Sequence, residues 1–93
     1  MIYNVIWEKT DASNESSFEE QLKSTCIDVC QYASNAWFVD YEGERSDLFS
    51  LLRDAIDDKD TLVVNTVDFN NMSGWMSNIV ITWIKKYMLP NDN

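Results

Sequence analysis

The chain contains no histidine, and this limits its chemistry from the outset. Histidine is the commonest general base and the commonest metal ligand. Its serines therefore lack a Ser-His-Asp arrangement. Cys26 and Cys30 have no evident base to activate either one as a nucleophile. Two cysteines without histidine also argue against a zinc site. In an extended segment these two lie on one face of one strand, too far apart for a disulfide. They read as buried free thiols in a reducing compartment. Gly43 and Gly74 stand alone, so no glycine-rich loop cradles a phosphate. Lys85 and Lys86 form no basic stripe for nucleic acid and read as helix-end charges. The expectation is a non-enzymatic protein with no cofactor.

What remains is acid. Sixteen Asp and Glu stand against seven Lys and Arg, a net charge of −9. A field of that sign repels nucleic acid and anionic membrane and attracts basic proteins. The surplus is concentrated in two segments. Residues 8–20 carry a net −4 and residues 40–60 a net −5, so the rest of the chain is neutral. Each segment is expected to hold one helix with its flanking loops. If both helices cover one sheet face, that face is broadly anionic and can mimic a phosphate backbone. The expected partner-binding residues are Glu15, Glu19, Glu20, Glu42, Glu44, Asp47, Asp54, Asp57, Asp58 and Asp60. The plainer alternative is a solvated helical surface that keeps the chain soluble.

The elements that must position these acids follow from periodicity. Ninety-three residues make one domain, 1–93, with a single modest core. In Ile2–Glu8 one side carries Tyr3, Val5 and Trp7, while Ile2 and Ile6 flank Asn4 on the other. That pattern marks a central strand buried on both faces. Ser16 with Glu19, or Ser17 with Glu20, forms a capping box, and Phe18 and Leu22 share the inner face of a short helix. Cys26–Tyr32 and Ala36–Tyr41 read as a hairpin around a Ser34-Asn35 turn, where Asn tolerates left-handed backbone. Asp28 and Gln31 suit the first of these strands to an edge. Ser46 is a natural N-cap for a second helix, whose stripe of Leu48, Phe49, Leu51, Leu52, Ala55 and Ile56 runs to about residue 56. Thr61–Val67 is a strand, and Asp68–Gly74 a loop. From Trp75 the spacing of Met76, Ile79, Val80, Trp83, Ile84, Tyr87 and Met88 predicts a last helix, with Pro90 just beyond it.

The order strand, helix, strand, strand, helix, strand, with right-handed crossovers, predicts an α+β fold. The arrangement expected is a ferredoxin-like βαββαβ antiparallel sheet of order 4-1-3-2, with two helices on one face and a C-terminal helix besides. Strand four then forms an apolar association edge through Leu62, Val64 and Val67, to be covered by the last helix or by a second chain, so a homodimer is possible. No basic leader precedes the first strand, and the apolar run from Ile79 to Leu89 is short and interrupted, so neither a signal peptide nor a membrane span is expected. The localisation expected is cytoplasmic.

The hairpin and capped helix, then Asp57-Asp58-Lys59-Asp60-Thr61-Leu62-Val63-Val64, then a tail ending Trp83-Ile84-Lys85, resemble the SinR-like small proteins over roughly residues 1–88. Those proteins are similar in fold to the small CRISPR-associated dimeric nuclease of spacer acquisition. In that nuclease family an Asp ends the first strand and pairs across a two-fold axis to bind a metal. Here Glu8 stands at that position, one carbon longer, which disfavours in-line geometry. Glu8 is therefore at most a weak metal candidate, and otherwise an ordinary acid where a strand exits to solvent. Together these features favour a binding module for a basic, nucleic-acid-binding defence protein, an inhibitor of the nucleic-acid-mimic or anti-CRISPR kind from a phage or mobile element. The alternatives are a metal-dependent dimeric nuclease-like protein and an antitoxin or other regulatory subunit.

Overall fold

The computed structural model describes residues 1–11 and 14–88. Strands β1 (Ile2–Glu8), β2 (Asp28–Ala33), β3 (Ala36–Asp40) and β4 (Thr61–Thr66) form one sheet in the order β2-β3-β1-β4. Read from the opposite edge, that order is 4-1-3-2. Every neighbouring pair is antiparallel, with Val5 of β1 opposite both Trp37 and Val64. Helices α1 (Glu15–Thr25) and α2 (Arg45–Arg53) join the strands. After β4 come a 3-10 turn at Phe69–Asn71 and helix α3 (Asn78–Lys85).

The period-2 pattern of β1 sorts its side chains as expected. Tyr3, Val5 and Trp7 join Phe18 and Leu22 of α1 and Leu48 and Leu52 of α2 in one core. Ile2 joins Phe38, Phe69, Val80, Trp83 and Ile84 in a second core on the other face. Between the two, the sheet buries apolar side chains on both sides, as the sequences of β1 and β3 require.

Several local expectations are corrected. Asn14, not Ser16 or Ser17, caps α1; its Oδ1 accepts from the Ser16 and Ser17 amides at 3.0 and 3.3 Å. The N-cap of α2 is Glu44, which makes no side-chain capping bond, so Ser46 lies inside the helix. Helix α2 stops at Arg53, and Ile56 reaches the first core from the following turn. Helix α3 begins at Asn78, where the Ser77 side chain caps it, and not at Trp75. Phe69, read as part of a loop, is buried in the second core. None of the described residues outside glycine has a positive φ, so the Ser34-Asn35 turn uses no left-handed backbone. A register shift between Gln31 and Ala33 accompanies it, the kind of irregularity that absorbs local twist. The two thiols do not share a strand face. Cys26 precedes β2 as the C-cap of α1 and packs on the first core, while Cys30 packs on the second. Both are free. Pro90 lies outside the described residues. Among those described, no helix is long and apolar enough to cross a membrane.

Candidate protein-binding face

Helices α1 and α2 pack on one sheet face because each offers a narrow apolar stripe. Phe18 and Leu22 point inward from α1, Leu48 and Leu52 from α2, each pair four residues apart. Phe49 and Leu51 fall off that stripe and are exposed, contrary to the six-residue stripe expected for α2. Phe49 lies about 100° round the helix from Leu48, and Leu51, at the margin of the stripe, lines the groove toward α1.

The face between the helices is a groove. A cavity of about 530 Å³ is lined by Ser17, Glu20, Gln21 and Ser24 of α1 and by Leu51, Asp54 and Ala55 on the α2 side. Glu20 and Asp54 thus share one groove with an exposed leucine. At the far end of α2, roughly 13 Å of helix away, Glu42, Glu44 and Asp47 are exposed on the entry loop and first turn. That loop is held by Tyr3, whose hydroxyl donates to the Gly43 carbonyl at 2.7 Å. A Cβ on Gly43 would lie 2.5 Å from the Tyr41 ring, so a larger residue there obliges that ring to shift. Glu15 is exposed and pairs with Lys9 at 3.7 Å. Glu19 is half-buried.

The turn after α2 divides its acids by role. Asp58 is exposed and accepts from Arg53 at 2.6 Å. That hydrogen bond, aided by the charges of Asp58, Asp54 and Asp57, raises the guanidinium's affinity for its proton. Asp57 accepts from the Lys59 amide at 2.9 Å and shapes the turn. Asp60 faces inward. Its carboxylate accepts from the Trp7 indole at 2.8 Å, from the Thr10 amide and hydroxyl at 2.8 and 2.9 Å, and from the Asp57 amide at 3.1 Å. Asp60, expected on the partner surface, is instead a clasp that ties the ends of β1 and α2 together.

A second carboxylate does the same on the other face. Asp28 of β2 accepts at one oxygen from the Trp83 indole, the Tyr87 hydroxyl and the Lys86 ammonium at 2.9, 2.9 and 3.1 Å. Burial pushes its proton affinity up, but the hydrogen bonds from Tyr87, Trp83 and Lys86, with the Lys86 charge, outweigh that and leave its pKa lowered. Asp40 stands opposite Asp28 in the register, with the N-terminal ammonium 3.4 Å from it. Two facing carboxylates are thereby each given a cation.

Glu8 is exposed at the end of β1, opposite Thr61. Among the described residues no three Cys, Asp or Glu side chains gather as a metal site. The expected association edge is largely occupied within the chain. Val64 is buried in the first core, Leu62 packs against it, and Val67 packs against the second core. Of the apolar residues of β4, Val63 is the one left exposed. Set against known proteins, the chain matches no family model and no curated protein.

Proposed function

We propose that this chain is a non-catalytic module that docks on a basic protein through the α1/α2 face. In this reading it inhibits a nucleic-acid-binding protein by occupying the groove meant for a phosphate backbone. The observation that carries the proposal is the groove in which Glu20 and Asp54 flank exposed Leu51. Charge supplies long-range steering, and an apolar anchor supplies the short-range contact that charge alone does not. We further propose that the sheet order and the two helices on one face make the fold ferredoxin-like, in keeping with the SinR-like resemblance, and that the setting is cytoplasmic.

The test is affinity capture on the immobilised chain from a bacterial lysate, eluted with a salt gradient. The expected ligand is a basic protein whose association slows steeply once the screening length falls below ~10 Å at 0.1 M salt. It should be displaced by duplex DNA or RNA. Reversing the exposed acids Glu20, Asp47 and Asp54 to Lys should abolish capture and leave the fold intact, since exposed charges each change stability by only about 0.5 kcal/mol. Capture that ignores salt and these reversals would reduce the acids to a solubility device. Nucleic-acid cleavage with Mg²⁺ or Mn²⁺ that Glu8→Ala removes would replace the proposal with the nuclease alternative.

A further inference from the structure

Helix α3 does not cover the whole of the second sheet face. A cavity of about 470 Å³ opens there, with a floor drawn from every strand: Asn4, Tyr32, Phe38 and Asn65. Asp68, Asn71 and Met72 stand in its wall. The volume falls within the roughly 300–1,000 Å³ of small-ligand sites.

The two floor asparagines run against the local pattern. Strands disfavour asparagine. Asn4 stands between Ile2 and Ile6 on this face of the central strand, and Asn65 stands directly opposite it between Val63 and Val67. Polar residues at matched positions on two apolar strands mark a site more than a need of the fold. The pair is also fixed in place. Tyr32 donates its hydroxyl to Asn4 Oδ1 at 2.6 Å, Asn4 Nδ2 donates to Asn65 Oδ1 at 3.2 Å, and Asn65 Nδ2 donates to the Thr66 carbonyl at 3.0 Å. A carboxamide has two donors and two acceptor sites, and these bonds use one of each on both residues.

Charge and ring geometry narrow the ligand. No Lys or Arg lines the cavity, Asp68 is its one carboxylate, and the chain is net −9, so an anion is repelled. Phe38 is buried and already stacked by Tyr32 at 4.1 Å, so it offers no face to a flat heterocycle. The polar groups approach from the floor and from the wall, which suits a ligand with hydroxyls all round its rim. Its C–H surface can rest on Met72. We propose that this cavity binds an uncharged sugar, on the sheet face opposite the acidic helices.

Amide NMR of the full chain, titrated with neutral mono- and disaccharides at millimolar concentration, tests this. At least one sugar should shift the amides around Asn4, Asn65 and Asp68. Asn65→Ala should weaken that binding by roughly tenfold, the loss of one or two hydrogen bonds. Asn4→Val should abolish it while urea stability holds or rises, because a β-branched residue suits the central strand. Adenosine, glucuronate and spermidine should leave these amides unmoved. No shift with any sugar, shifts indifferent to both substitutions, tighter binding of adenosine, glucuronate or spermidine here, or loss of stability in Asn4→Val (a purely structural asparagine) would each overturn the proposal.

Discussion

The two faces of this sheet are covered in different ways. On the α1/α2 face, Phe18 stacks on Trp7 at 4.2 Å between ring centroids and lies 5.3 Å from Trp37. Phe18, Leu22, Leu48 and Leu52 are wholly buried there. On the other face, Phe38, Phe69 and Trp83 meet at 5.0 to 6.5 Å, and the cover is a 3-10 turn and an eight-residue helix. Two helices with apolar stripes close a face by packing alone. One short helix buries less, and α3 is held both by Val80, Trp83 and Ile84 in the second core and by three donors converging on Asp28. The first face should therefore respond mainly to lost volume, and the second also to lost charge.

The largest expected effect is Phe18→Ala. It removes a ring from a core with no room to collapse and should cost about 3–5 kcal/mol in urea unfolding. Ile84→Ala, beside a cavity of about 170 Å³ into which neighbours can relax, should sit near the low end of the core range, about 2 kcal/mol. Equal losses at the two sites would remove the distinction between the faces.

Asp28→Ala should cost less, about 1–2 kcal/mol, since the carboxylate side chain is 34% exposed and partly screened. Its signature is local. Hydrogen exchange should speed up in α3 while β1 and β3 keep their protection. Acid should do the same to the unmodified chain. The Asp28 pKa is lowered in the fold, so its contribution is complete above the ordinary aspartate range near ~4 and is lost as pH falls through the lowered value. Exchange in α3 that does not change over that acid range would mean that packing, not Asp28, holds the helix.

The smallest effect separates the two thiols. Burial, then the Asp40 charge, pushes Cys26 up to about 11. Burial and the Asp28 charge also raise Cys30, but Lys86 opposes them. Alkylation near neutral pH should be slow at both, and slower at Cys26. Faster labelling of Cys26 would show that the first face opens more readily than its packing implies.

Much of the fold was legible because the relevant signals are local. The two-sided apolar pattern of Tyr3, Val5 and Trp7 against Ile2 and Ile6 marked β1 as central, and the four-residue spacing of Phe18 and Leu22 marked the inner face of α1. The acidic segments were legible as sums of charge. Their roles were not, since Asp57-Asp58-Lys59-Asp60 gives no hint that one of its acids turns inward.

Composition and periodicity thus determined the strands, the helices and a strongly anionic chain poor in catalytic groups. Tertiary structure alone decided that Asp60 clasps Trp7 and Thr10, that Asp28 gathers Trp83, Lys86 and Tyr87, that Phe69 is core, and that Asn4, Tyr32 and Asn65 share one cavity. The physical reason is distance along the chain. The partners of Asp60 at Trp7 and Thr10 lie 53 and 50 residues away, and those of Asp28 lie 55 to 59 residues away. No window of local sequence contains both ends of such a bond.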